Sequence, residues 1–194
     1  SYEDLLAMGY LSQAVVNYVT LLGWSPRGEY AEREFYTLAE LAGIFDVGGI
    51  SKSPAAFDLD KLTYFNAHYL REMPPEVFHA AALPYIRQAV KGSAFSTQEI
   101  AALLQARCEK LTDIPGKLDF FDALPDYDAE LFTNKKSKTN PEISRKMLEA
   151  AIPALESLAD WTADAIHDCL VDLALRLEVK NATLMWPVRI AAAG

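Results

Sequence analysis

The side chains best suited to acid–base or nucleophilic chemistry are scattered along this chain. The three histidines, His68, His79 and His167, lie in separate predicted helices at spacings that fit no metal site. The two cysteines, Cys108 and Cys169, are far apart and form no CxxC pair. We therefore expect His68 and His79 at the edge of a core, His167 packed on an apolar helix face, and both cysteines as free thiols in a reducing compartment.

Motifs for nucleotide binding and hydrolysis are absent from the sequence. It contains no GxxxxGK[ST], GxGxxG, GxSxG or HExxH. Acidic pairs such as Asp58/Asp60 and Asp126/Asp128 lie where carboxylates cap helices and turns. We predict no catalytic residue, no metal ligand and no cofactor site in this chain, and the missing motifs argue against a free-standing enzyme.

Arg107 is the charged residue whose position most needs a partner. The predicted helix after Ser96 has an apolar face made of Ile100, Leu103, Leu104, Cys108 and Leu111. Arg107 lies at the i+7 place of that face, so its side chain must extend to water, pair internally or reach a partner outside the core. Arg189 is a milder case, the single cation of an apolar segment near the end of the sequence.

Composition and charge limit the class of protein. The chain has 194 residues, 51% hydrophobic and 23% charged, with net charge −9. This charge weighs against an unselective nucleic-acid binder, although cations gathered on one face can still hold RNA. No apolar run approaches the roughly 18 residues of a membrane span, and no signal peptide is visible. We expect a cytoplasmic protein with no membrane partner.

The elements that must position these residues are helices, and the predicted fold class is all-α. Apolar residues from Leu11 to Leu22 follow helical spacing. Residues 37–40 (TLAE) and 96–99 (STQE) are predicted capping boxes. Further N-caps are predicted at Asp58, Asn140 and Thr162.

A soft domain boundary is predicted at Pro74, where the prolines of MPP break the preceding helix. Later helices are expected over about 75–90, 97–112, 141–158, 162–178 and 182–192. The polar, basic stretch 133–140 predicts a mobile loop, and no strand alternation is visible.

Two segments resemble bacterial-type glutamyl-tRNA synthetases. The first runs through GYL, VNY and LLGWSP between residues 9 and 26, and the second through ISKSPAAFD at 50–58 and on to Leu70. Looser similarity continues through Arg107 with LTDI at 111–114, and through LMWPVR at 184–189. The resemblance covers the whole chain.

The resemblance implies a class I enzyme that joins glutamate to tRNA(Glu) with ATP and magnesium in a Rossmann-type catalytic domain. The family's two ATP-handling signatures are absent here, and SKSP at 51–54 matches the lysine signature in letters only, on the wrong side of residues 18–24. The chain is then the C-terminal, tRNA-binding half, inactive alone, with tRNA(Glu) and its own catalytic domain as partners.

The resemblance also divides the chain. Residues 1–72 match the stem-contact domain, and residues 73–194 match the all-helical anticodon-binding domain, built as two helical cages. The match implies that the chain begins just after the lysine signature and stops before the family's last helices, so that the second cage is truncated.

Five residues are candidate tRNA contacts by this resemblance. Arg107 falls where the family places an arginine against the third anticodon base, which favours a strict enzyme that charges tRNA(Glu) only. Arg189 matches another arginine near the anticodon, and Trp186 is either a stacking platform or a core residue. Lys52 and Lys61 are either phosphate contacts of the stem or solvated surface residues. An alternative to tRNA binding, which net charge −9 favours, is a helical protein-interaction module without RNA binding.

Overall fold

The helices of this chain begin where its capping residues predict. A computed structural model describes residues 1–124 and 126–194. Its α-helices are α1 (Tyr2–Ala7), α2 (Ser12–Gly23), α3 (Leu38–Ile44), α4 (Leu59–Glu72), α5 (Pro75–Ala89), α6 (Thr97–Gln105), α7 (Pro141–Glu156), α8 (Ala163–Arg176) and α9 (Asn181–Ala193). The described residues form no sheet, only isolated bridges at Trp24–Ile50 and Asn134–Thr139. The all-α prediction is confirmed.

Side-chain caps account for most of these starting points. The Thr37 hydroxyl accepts the Glu40 N–H at 3.2 Å, and the Glu40 carboxylate accepts the Thr37 N–H at 2.7 Å, which completes the predicted capping box. The Thr37 amide, followed by the Arg33 guanidinium, lowers the pKa of Glu40. Caps at Asp58, Asn140 and Thr162 are also confirmed. At Ser96 the structure shows the forward bond only, from the Glu99 N–H at 3.3 Å.

The chain forms two compact units, Ser1–Leu118 and Asp119–Gly194. In the first unit, α2 and α4 enclose an aromatic core with Tyr18, Leu62 and Phe65, and α5 packs on α6. In the second unit, α7, α8 and α9 pack mutually around a core that includes Ala151, Leu173 and Leu184. The predicted division into stem-contact and anticodon-binding domains at residues 72/73 lies within the first unit and stays a prediction.

The helix that carries the Arg107 prediction is shorter than the periodicity indicates. It ends at Gln105 instead of near residue 112, and two short 3₁₀ turns follow. The predicted apolar face is therefore wrong beyond Gln105, and Leu103 is 72% exposed. The Leu111 N–H donates to the carbonyl oxygen of Gly9 at 3.3 Å, so a contact with the start of the chain replaces the next helical turn.

The segment 133–140 differs from the predicted mobile loop. Asn134 and Thr139 exchange backbone hydrogen bonds, each 3.1 Å long, and the Asn134 carboxamide accepts the Ser137 N–H at 2.9 Å. Ser137 and Thr139 are buried. The segment is a closed turn, since its polar side chains satisfy its own backbone groups.

Candidate nucleic-acid interface

Arg107 lies on an exposed backbone segment just past α6. Its N–H donates to the carbonyl oxygen of Leu104 at 2.8 Å, which continues the last helical turn by one bond. Its side chain is exposed, and it forms no hydrogen bond or ion pair with any residue that the structure describes. The alternative of an internal salt bridge is therefore wrong for the described residues, and the guanidinium is free to bind an external group.

Buried neighbours hold the backbone on both sides of Arg107. The Gln105 side-chain nitrogen donates to the carbonyl oxygens of Leu70 at 3.0 Å and Met73 at 2.8 Å. Cys108 is 1% exposed, and its burial, with Asp113 nearby, raises the pKa of the thiol to about 11. A mobile arginine side chain thus projects from a fixed backbone.

A second set of contacts fixes the segment that follows Arg107. The buried Asn66 carboxamide accepts the Leu11 N–H at 2.7 Å and donates to the Glu109 carbonyl oxygen at 2.5 Å. The Thr112 hydroxyl donates to the carbonyl oxygen of Met8 at 2.8 Å. Residues 8–11 therefore support the same loop that presents Arg107.

The two predicted stem-contact lysines have different environments. Lys52 is exposed in an exposed segment and has no partner among the described residues. Lys61 lies in α4, 2.5 Å from the Glu34 carboxylate, and its ammonium is 4.9 Å from the centroid of the Tyr64 ring. Lys52 is free to contact a phosphate, whereas Lys61 must first separate from Glu34.

In the second unit, α9 brings together the other two predicted contacts. The Trp186 indole N–H donates to the carbonyl oxygen of Leu131 at 2.9 Å, and the ring is half-buried. The Arg189 guanidinium carbon lies 5.7 Å from the centroid of the same ring, with its side chain exposed. Trp186 thus has a structural hydrogen bond and also contributes to a surface with a positive charge beside it.

The histidines have no common site. His68 stacks on Phe35 with centroids 3.6 Å apart, and His79 hydrogen-bonds to Thr97, so both lie at the edge of a core as predicted. The prediction that His167 is packed is wrong: it is exposed, 3.3 Å from Asp168, because the buried residues of α8 begin only at Leu170. Over residues 1–124 and 126–194, no group of His, Cys, Asp or Glu side chains could hold a metal ion.

Sequence reasoning missed the residues that support the site. Gln105 and Asn66 were not singled out, because their partners are backbone carbonyl and amide groups distant in the sequence. The lysines at 135, 136 and 138 were visible, but a loop prediction gave them no defined position. Their clustering in three consecutive polar positions of four was the available signal.

Comparison with known proteins adds a family match. The model of the family described as "Anticodon binding domain" matches residues 67–194. The chain belongs to the anticodon-binding-domain family. The matched range contains Arg107, Trp186 and Arg189, whereas Lys52 and Lys61 lie before it.

Relatives of this anticodon-binding-domain protein include glutamate–tRNA ligases. The ligase of Clostridium tetani is 44% identical over 194 residues, and that of Clostridium acetobutylicum is 42% identical. Each alignment covers 100% of this chain and 39% of the relative, so the chain spans about two fifths of their length. The resemblance to glutamyl-tRNA synthetases is confirmed.

Solved structures agree with this assignment. A glutamate–tRNA ligase from Elizabethkingia meningosepticum, in complex with its amino acid, matches with a TM-score of 0.75 at 27% identity. The glutamate–tRNA synthetase of Elizabethkingia anophelis matches with a TM-score of 0.73 at 26% identity. Both cover 97% of this chain and 36% of the matched chain. None of the described helices has the length and apolar character needed to cross a membrane.

Proposed function

We propose that this chain is the tRNA-binding portion of a glutamate–tRNA ligase and that it binds tRNA(Glu) through the anticodon and the inner stem. The observation that carries the proposal is the unpaired Arg107 guanidinium on a fixed backbone, within the range matched by the anticodon-binding family. ATP, magnesium and glutamate belong to the catalytic domain of the full-length enzyme, which is the second partner. The described residues of this chain offer no metal cluster, so no chemical step is assigned to it.

Arg107 would read the third anticodon base. Anticodon bases are unstacked and single-stranded, so their edges are accessible to side chains. A planar guanidinium donates two parallel hydrogen bonds to a base edge, and such a contact discriminates by about 1–3 kcal/mol. Because Arg107 has no partner among the described residues, no internal bond has to break when it binds. A strict preference for tRNA(Glu) over tRNA(Gln) is part of this proposal.

The α9 surface would supply a second contact. Trp186 offers an aromatic face for a base, and Arg189 beside it adds a positive charge. Lys52 would contact a phosphate of the stem with its free ammonium, whereas Lys61 would contribute less because Glu34 holds it. The protein would work in the cytoplasm, where translation takes place.

The decisive experiment is a double-mutant cycle between protein and RNA. Binding is measured for wild type and Arg107→Ala, each with tRNA(Glu) and with a copy whose third anticodon base is changed. We expect each single change to weaken binding by about 5- to 150-fold, and the combination to add little, because both remove one contact. Arg87→Ala is the matched control, an exposed arginine of the same unit whose guanidinium donates to the Gly92 carbonyl oxygen at 3.2 Å.

Two results would contradict this function. Effects of Arg107→Ala and of the base change that add fully would show that the two groups do not touch. Loss of binding for Arg87→Ala equal to that for Arg107→Ala would show an effect of charge alone.

A protein-interaction module is the second candidate function. Net charge −9 favours it, as does an apolar groove of about 310 Å³ between α1 and α2, lined by Tyr2, Leu5, Val16 and Val19 among others. Salt separates the two functions, because phosphate contacts weaken steeply with added salt and an apolar protein interface does not. Absence of tRNA binding at low salt would favour the interaction module.

A further inference from the structure

The turn Asn134–Thr139 presents lysines from a rigid frame. Its ends are joined by the two backbone hydrogen bonds between Asn134 and Thr139, and the Asn134 side chain closes the inside. Lys138 has φ of +54°, a left-handed conformation that reverses the chain direction there. The side chains of Lys135, Lys136 and Lys138 are exposed on this turn.

The turn is attached to α9 at its first turn. The buried Thr183 hydroxyl donates to the carbonyl oxygen of Ser137 at 2.7 Å. One helical turn later, the Trp186 indole holds the carbonyl oxygen of Leu131, so α9 fixes the segment before the turn as well. Lys180, the N-cap residue of α9, lies three residues before Thr183 and adds a fourth exposed cation at this end of the helix.

These four cations have no carboxylate partner among residues 1–124 and 126–194. None of Lys135, Lys136, Lys138 and Lys180 forms an ion pair or a side-chain hydrogen bond with a described residue. The neighbouring cations of α7 differ, since Arg145 pairs with Glu149 at 2.9 Å and Lys146 with Glu142 at 2.8 Å. In a chain with 27 acidic residues, unpaired lysines gathered on one turn point to an external anion.

We propose that the Lys135–Lys138 turn, with Lys180, is a contact surface for the phosphodiester backbone of the bound tRNA. This inference rests on the proposed tRNA-binding function and adds a second contact region to it. Ammonium groups act as point charges and contact phosphates without reading base edges. The surface therefore supplies affinity and orientation in the second unit, whereas anticodon discrimination stays with Arg107.

The test compares two variants with the same change in net charge. Lys135→Gln/Lys136→Gln removes two free cations, and Arg145→Gln/Lys146→Gln removes two that are ion-paired. Binding to tRNA(Glu) is measured over a salt series for both variants and wild type. We expect the first variant to reduce the slope of log K against log salt concentration by about 2, roughly one per phosphate contact, and the second to leave it nearly unchanged.

Two further measurements separate this proposal from the proposed function. Lys135→Arg/Lys136→Arg keeps both charges and should retain the wild-type slope, and the ratio of affinities for the two anticodons should be the same in every lysine variant. Equal slopes for the two charge-matched variants would overturn the contact surface alone, provided that wild type still distinguishes the anticodons. A wild-type protein that binds no tRNA would overturn both proposals.

Discussion

The Gln105 side-chain nitrogen lies 2.8 Å from the carbonyl oxygen of Met73, the residue that ends α4. The same nitrogen also donates to the Leu70 carbonyl oxygen at 3.0 Å. Carbonyl groups at the end of a helix lack partners within that helix, so a side chain from elsewhere must supply them. Gln105 does this from the last residue of α6, and the bond fixes where α6 ends and Arg107 begins to project.

Gln105→Ala should therefore destabilise the protein and weaken the presentation of Arg107. The substitution leaves the Leu70 and Met73 carbonyl oxygens without their donor, which we expect to cost about 1–3 kcal/mol in the free energy of unfolding. Urea unfolding measures the loss, with Gln88→Ala, an exposed glutamine of α5, as the matched control. Equal stabilities of the two variants would show that the Gln105 bonds contribute nothing net.

Local signals were sufficient to predict most of the helices. The start of α4 is an example, because the Asp58 carboxylate accepts the N–H groups of Asp60 at 2.9 Å and Lys61 at 3.2 Å. These partners lie within three residues of the cap, so the sequence contains the whole interaction. The fold class followed from such signals.

The end of α6 was not predictable in this way. The apolar spacing continues through Leu111, but that residue donates its N–H to Gly9, and Asn66 holds Glu109. These contacts join positions far apart in the sequence, and no periodicity contains them. For the same reason the sequence identified Arg107 as unusual, while its exposure and its free guanidinium required the structure.

Gly9 should not tolerate a side chain, whereas Gly23 should. Gly9 has φ of +88°, and a Cβ there would lie 2.8 Å from the backbone nitrogen of Thr112. The left-handed conformation alone costs an alanine about 1–2 kcal/mol, and the clash adds to that. Gly23, at the end of α2, has open space around the Cβ position, so Gly23→Ala should be neutral or stabilising by up to about 1 kcal/mol.

Thermal or urea unfolding of the two alanine variants checks this difference. The double variant Gly9→Ala/Thr112→Ala is the informative control, because the clash involves the Thr112 backbone and should persist without the threonine side chain. Full recovery of stability in the double variant would show that only the side chain was in the way.

The two cysteines should differ sharply in reactivity. Cys108 is 1% exposed with a pKa raised to about 11, so about one thiol in a thousand is ionised at pH 8. Cys169 is half-buried and lines the surface of α8. With an aromatic disulfide reagent at pH 8, we expect one thiol of the native protein to react promptly and the second only after unfolding.

Serine variants assign the two thiols. Cys169→Ser should abolish the prompt reaction, and Cys108→Ser should leave it intact. Because an acid with a raised pKa stays protonated until higher pH, any slow native-state labelling of Cys108 should accelerate as the pH rises toward 11. Prompt labelling in the Cys169→Ser variant would contradict the burial of Cys108.

Trp186 combines a structural hydrogen bond with an aromatic face, and two substitutions separate these roles. Trp186→Phe removes the N–H that Leu131 accepts at 2.9 Å but keeps a ring, whereas Trp186→Leu removes both. We expect both variants to lose about 0.5–1.5 kcal/mol of stability through that bond, with a further loss of packing for leucine. If a tRNA base stacks on the ring, Trp186→Phe should bind tRNA(Glu) almost as wild type does, and Trp186→Leu should bind about 5- to 150-fold more weakly. Trp161→Leu is the matched control, because that tryptophan is 66% exposed and its loss should change neither quantity. Equal tRNA affinities for Trp186→Leu and Trp161→Leu would leave Trp186 with its structural bond alone and remove it from the proposed interface.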